Sequence, residues 1–166
     1  YFDKKIGIPE DWEIIPLQDV LLKQNSGLHN KLSETISGDK IVQMTDLYTY
    51  DIIGNEKFTL AEFPKEIKGK KVNKEKYFLK ENDFIYIEIS LVREGVGKTV
   101  IVSKDAKETY FAGNLRRFTI KESLNHKFLL YYLNSEWARN YMIGHSYTAA
   151  QTGITSILAT DVKIGE

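Results

Sequence analysis

Not one of the 166 residues is cysteine, which excludes a disulfide framework, a thiolate metal site and a cysteine nucleophile together. No apolar run reaches the roughly 20 residues that span a bilayer, and the first residues lack the basic-then-apolar order of a signal segment. A membrane partner is therefore not expected, and the cytoplasm is the expected compartment. Internal repeats and low-complexity segments are absent. The three histidines (His29, His126, His145) are scattered without ligand spacing and without a paired-carboxylate cluster nearby, so no metal site is expected.

What is present is globular. Hydrophobic residues make up 42% and charged residues 28%, with 10 Tyr and 8 Phe in a short chain, enough apolar surface for one domain with a real core, residues 1–166 forming a single unit. Because the chain opens at Tyr1 and stops at Glu166 just after a hydrophobic stretch, it is expected to be a piece of something longer. The formal net charge is zero, but the charges are unevenly placed. Residues 1–64 carry 6 lysines and no arginine against 11 acids, while residues 65–166 carry 17 basic against 12 acidic residues. The excess lies between Lys65 and Lys80, where Lys65, Lys68, Lys70, Lys71, Lys74, Lys76 and Lys80 face only Glu66 and Glu75. Such a run reads either as a solvated loop or as a phosphate contact, since lysines that neutralise phosphates release condensed counterions.

Periodicity divides the chain in three. From Pro16 to Lys23, Leu17, Val20 and Leu21 stand at helical spacing behind an early proline, which predicts a short amphipathic helix. From Lys40 to Ile120 the pattern becomes short β-rich pieces at Lys40–Met44, Leu47–Ile53, Tyr77–Leu79, Phe84–Leu91, Thr99–Ser103 and Leu115–Ile120, separated by turn residues such as Gly54-Asn55 and Glu81-Asn82-Asp83. In Phe84–Leu91 the alternation predicts one core face and one mixed face. Helical period returns from Asn125 to Ile143, with Ser135-Glu136 able to restart a second helix. Gly144–Gly153 reads as a loop, and Thr160-Asp161 as a cap for a last helical turn or the start of a strand that leaves the domain. The class is α+β: a twisted, mostly antiparallel or mixed sheet flanked by helices at both sequence ends.

Two chemical motifs are incomplete. Glu94-Gly95-Val96-Gly97-Lys98-Thr99 resembles the end of a phosphate-binding loop, but Val92 stands where the first glycine is needed and a β-branched run follows where a helix should begin. A glycine-rich hairpin explains the same letters. Asp51, Glu66 and Lys68 could form an acid, acid, lysine set that holds Mg²⁺ and activates a water, although Glu66 and Lys68 fall in the lysine-rich loop rather than on rigid strands.

The segment Ile6-Gly7-Ile8-Pro9-Glu10-Asp11-Trp12-Glu13 followed by Leu17-Gln18-Asp19-Val20 resembles the opening of a target recognition domain in the specificity subunit of Type I restriction-modification systems. The resemblance continues in order through Gly38–Leu47, Leu79-Lys80-Glu81-Asn82-Asp83-Phe84-Ile85-Tyr86, the Ser90, Arg93, Gly95, Gly97 and Lys98 hairpin, Phe111–Phe118, Phe128–Ser135 and Thr148–Ile154. It covers nearly the whole chain. Asn82 replaces a usual glycine, Ala112-Gly113-Asn114 replaces an N-Q-H run, and the sequence stops before the family's exit into a long spacer helix.

That resemblance implies sequence-specific recognition of one half of a bipartite target in double-stranded DNA, by a non-catalytic component without a cofactor of its own. S-adenosylmethionine would belong to modification subunits, and ATP and Mg²⁺ to the restriction subunits joined through them. Lysines and arginines fix register on phosphates while a few side chains read base edges. Lys68, Lys70, Lys71, Lys74 and Lys98 are the candidate backbone contacts. Arg93, Arg116 and Arg117 suit guanine or phosphate, because the guanidinium fork binds two acceptors. Gln43, Asn114 and Gln151 could pair with adenine, and Tyr147 and Thr148 could touch sugar or a thymine methyl. Trp12, Tyr131, Tyr132 and Trp137 are read as core anchors. Two other readings stand beside this one: a recognition domain fused into a single-chain restriction and methylation enzyme, and a Mg²⁺ nuclease built on Asp51, Glu66 and Lys68.

Overall fold

The fold is that of a computed structural model, which describes residues 14–29, 34–106, 108–144, 147–148, 152–153 and 163–165. In chain order the elements are β1 (Ile14–Pro16), α1 (Leu17–Val20), β2 (Leu21–Ser26), β3 (Glu34–Val42), α2 (Met44–Thr49), β4 (Ile52–Ile53), β5 (Thr59–Ala61), β6 (Glu66–Ile67) and β7 (Lys70–Lys71). They continue as β8 (Phe84–Ile87), β9 (Ile89–Ser90), β10 (Thr99–Val102), β11 (Thr109–Phe111), β12 (Leu115–Ile120), α3 (His126–Asn134), α4 (Glu136–Gly144), β13 (Tyr147–Thr148), β14 (Thr152–Gly153) and β15 (Lys163–Gly165).

A five-stranded sheet in the order β2-β12-β8-β10-β4 forms the centre. Its pairs are antiparallel except β10 with β4. The expected α+β class with a mixed sheet is what the chain adopts. The expectation of one core face on Phe84–Leu91 is corrected: every residue of β8 is buried. Phe84 and Tyr86 point into a core closed by α1, α3 and α4 through Leu17, Val20, Leu129, Leu133 and Met142. Ile85 and Ile87 point the opposite way, into a second core with Val42, Leu47, Val100, Phe111 and Leu115. Period 2 is intact along this strand, but both of its faces are apolar because the sheet is covered on both sides.

The segment Leu47–Ile53, which reads as one strand, begins instead as the second half of α2, at Leu47–Thr49. The Gln43 N–H donates to Asp46 Oδ2 at 2.8 Å and the Asp46 N–H to the Gln43 carbonyl at 3.1 Å, which closes the first turn of α2 and leaves only Ile52–Ile53 extended. Capping outweighs the β-prone letters over so short a span. The predicted first helix is likewise one turn, and the chain extends from Leu21 as β2 beside β12. Ser135 ends α3 and its Oγ accepts from the Ala138 N–H at 3.3 Å, restarting the chain as α4. The Asn134 side chain fastens α3 to β10, accepting from Thr99 N at 3.0 Å and donating to Thr99 O at 2.7 Å. Tyr131, read as a core anchor, is 73% exposed, and Tyr132 and Trp137 are only partly covered. Trp12 lies outside the described residues, as does Thr160-Asp161.

A second, three-stranded sheet in the order β11-β3-β5 lies over a third apolar cluster of Leu28, Ile41, Ala61, Phe63 and Tyr110. The stretch expected as a loop contains the β13–β14 hairpin, and β14 joins β9 antiparallel with Thr152 opposite Ser90. β15 does not leave the domain; it pairs antiparallel with β1.

Candidate nucleic-acid interface

Strand ends determine which polar side chains meet. β11 runs parallel to β3 with Phe111 opposite Val42, and the Ala112 N–H donates to the Val42 carbonyl at 3.0 Å. Gln43 therefore emerges next to Ala112-Gly113-Asn114. Leu28 bridges Ala112, and His29 lies against Gly113 so closely that a Cβ there would stand 2.7 Å from His29 Nδ1. The Asn114 carbonyl accepts from the Glu88 and Ile89 N–H groups at 2.9 and 3.3 Å, which brings in the start of β9 and, beyond it, Arg93 and the β13–β14 hairpin. One end of the two sheets thus holds Gln43, Asn114 and Arg116, with the backbone of Tyr147 and Thr148 beside β9, while Arg93, on the turn after β9, donates from Nη2 to the Ile143 carbonyl at the end of α4 at 3.4 Å. Gln151 lies outside the described residues.

Within this end the Arg116 guanidinium bonds Glu88 Oε1, and the other Glu88 oxygen accepts from Ser26 Oγ at 3.3 Å. The pair is largely enclosed, with 19% of the Arg116 side chain and 9% of that of Glu88 exposed. Asn114, two residues earlier, is exposed. Glu88 carries no signal in the sequence, since it sits at the polar phase of an apolar strand; only the fold shows that it fixes an arginine.

Arg117 is a correction. It is 3% exposed, and its donors are taken inside the protein: Nη1 by Asp83 Oδ2 at 3.1 Å and the Phe78 carbonyl at 2.6 Å, Nη2 by the Lys76 carbonyl at 3.0 Å, and Nε and Nη2 by Asn25 Oδ1 at 3.0 and 2.8 Å. The Phe111 ring lies 5.6 Å below. Burial pushes the Asp83 carboxyl above its ordinary value, and the Arg117 charge and the Lys80 N–H pull it back. No fork is left for a base edge, because β12 alternates and Arg117 shares the inward phase of Leu115.

The first part of the lysine run, residues 66–71, is a short ribbon, and Lys74–Lys76 after it form a single 3-10 turn. β6 and β7 pair antiparallel, Glu66 opposite Lys71 and Ile67 opposite Lys70, around Lys68 and Gly69 at φ 50° and 73°, the left-handed pair that a two-residue hairpin turn requires. Lys65, Lys68, Lys70 and Lys71 are exposed. Lys74 is held more firmly: its Nζ lies 2.9 Å from Asp39 and 5.0 Å from the centre of the Phe78 ring. Asp39 precedes Gln43 by four positions, three of them along β3, which places Lys74 about 13 Å from the polar strand end.

Lys98 pairs with Asp51 at 2.7 Å, while Glu66 stands in the separate ribbon, so the Asp51, Glu66, Lys68 set is not assembled. Among the described residues no group of three or more His, Asp or Glu side chains could hold a metal ion. Thr99 opens β10 and not a helix, so the glycine-rich segment is a connection between strands. It is secured by Arg139 of α4, whose guanidinium bonds the Val96 and Glu94 carbonyls.

The family model described as the Type I restriction modification DNA specificity domain matches residues 9–160. The chain belongs to this family. No curated protein sequence matches it. Solved structures give the same fold to this specificity domain. A chain from a structural study of complex assembly and conformational transition in the type I R-M system superposes with a TM-score of 0.62 at 16% identity, over 98% of this chain and 35% of that one. The HsdS subunit from Thermoanaerobacter tengcongensis gives 0.56 at 17% identity over 98% and 35%, and the Type-I restriction-modification S subunit from M. genitalium gives 0.54 at 12% identity over 100% and 36%. The specificity domain thus spans about a third of the length of these chains. None of its helices, among the described residues, is long and apolar enough to cross a membrane.

Proposed function

We propose that this specificity domain is one target recognition domain of a longer specificity subunit, reading one half of a bipartite double-stranded DNA target in the cytoplasm. The observation that supports this beyond the family is the meeting of Gln43 and the exposed Asn114 at one strand end: side-chain amides are the groups that pair bidentately with adenine edges, while the Arg116 guanidinium beside them is held by Glu88. The exposed lysines of the β6–β7 ribbon supply sequence-independent attraction to phosphates at a distance from that end. Modification subunits, and restriction subunits through them, are the protein partners in this reading. S-adenosylmethionine, ATP and Mg²⁺ belong to them, and the domain itself binds DNA without a cofactor.

Methylome sequencing tests the proposal. Exchanging this domain for that of another specificity subunit in cells carrying the complete system should change one half of the methylated motif and leave the other half intact. An unchanged motif would overturn it.

A further inference from the structure

The segment between β9 and β10 carries two large aliphatic side chains outward: Leu91 is 74% and Val92 58% exposed. Its base is the reverse. Gly95, Val96 and Gly97 are buried, and the Gly97 N–H donates to the Ile87 carbonyl at 2.8 Å. The Val92 N–H donates to Ser90 Oγ at 3.0 Å and the Gly95 N–H to the Val92 carbonyl at 2.9 Å. Arg139 holds the Glu94 and Val96 carbonyls, and Tyr48 packs so tightly on Gly95 that a Cβ there would stand 1.9 Å from its Oη. The exposed pair is thus carried on a fixed turn, and its exposure is built in rather than a product of local looseness.

We infer that Leu91 and Val92 form an apolar wedge that enters a base step of the bound duplex and unstacks it, so that the domain discriminates targets partly by how easily that step opens. The inference rests on the DNA-reading proposal and adds to it a mode of readout that needs no hydrogen bond. Position commits the wedge to DNA. Asn114 holds the backbone of the strand that precedes it, and the β13–β14 hairpin flanks that strand, so the two side chains stand beside the end proposed to touch bases, while Arg93, next in sequence, donates to the Ile143 carbonyl at 3.4 Å. Area points the same way: two side chains on a turn fall far short of the roughly 800 Å² per partner of a stable protein interface, whereas inserted aliphatic side chains are what kinks a base step. A fixed turn is also what the work requires, because opening a step costs energy that a yielding support could not deliver.

The test uses the intact specificity subunit with its modification subunits, and a duplex of the methylated motif carrying 2-aminopurine at successive positions. Wild type should raise the fluorescence at one step. The variant carrying Leu91→Ser and Val92→Thr, changes confined to solvent-facing side chains, should lose that rise while keeping its circular dichroism and its salt-dependent binding to unrelated duplex. An undiminished rise in the variant, or target binding by wild type with no rise at any position, would overturn the wedge. Failure of wild type to bind the target at all would instead overturn the DNA-reading proposal on which it rests.

Discussion

Arg117 and Asp83 meet at 3.1 Å between Nη1 and Oδ2, with 4% and 3% of their side chains exposed, so one of the three arginines expected to suit guanine or phosphate is committed to the interior. Its remaining bonds, to Asn25 and to the Lys76 and Phe78 carbonyls, tie β2, β12 and the segment before β8 together. Replacing Arg117 with Leu leaves the buried Asp83 carboxylate without a neutralising charge, with only the Lys80 N–H to bond it, and takes a donor from each of the Lys76 and Phe78 carbonyls, which costs about 3–5 kcal/mol. Urea unfolding should show this loss. A double Arg117→Met, Asp83→Leu variant should recover part of it, because no isolated charge remains.

The ribbon lysines should act on all DNA alike. Lys70→Glu with Lys71→Glu removes two exposed cations that make no ion pair within the ribbon's described surroundings. Affinity should fall for target and non-target duplexes equally, and the slope of log K against log salt should shrink by about 2. Fluorescence anisotropy over a salt series measures both.

Asn114 should act on sequence instead. Asn114→Ala removes an exposed side-chain amide while keeping the backbone carbonyl that Glu88 and Ile89 use. Preference at one base pair should relax by about 1–3 kcal/mol with the salt slope unchanged, as competition binding against single-base variants of the target would show. Equal weakening on every sequence would move Asn114 to the phosphate contacts.

High pH should find Tyr110 and Tyr132 last. Burial pushes the hydroxyls of Tyr110 and Tyr132 up to about 12, and for Tyr110 the nearby Asp39 charge adds to the rise. A phenol whose folded value lies above its unfolded value of 10.0 stabilises the fold fully below that pH, and the contribution is lost as pH rises through the folded value. Absorbance at the phenolate band should therefore rise in two stages, the later one coinciding with loss of folded circular dichroism, and Tyr132→Phe should reduce its amplitude.

The sequence displayed what depends on local pattern. The β-rich pieces that form β8, β10 and β12 and the helical stripe of α3 and α4, with its restart at Ser135, were legible because residue type, period and capping are written in neighbouring residues. The ordered segments from Gly38–Leu47 to Thr148–Ile154 also pointed to the family. Leu47–Ile53 misled because its β-prone letters predict a strand wherever the cap at Gln43, four residues earlier, is not weighed, and Lys65–Lys80 hid its ribbon because hairpin strands of two residues leave no period to read.

Tertiary structure alone decided what each charge is for. Arg116 and Arg117 are adjacent and chemically identical, yet β12 turns one toward Glu88 near the polar strand end and the other into a closed cage, since successive side chains in a strand face opposite ways. Glu88, Arg139, Leu91 and Val92 gained their meaning in the same manner, from partners or solvent that lie far off along the chain. Composition and order determined which family of fold could form; the direction in which each side chain leaves that fold determined which residues remain available to DNA.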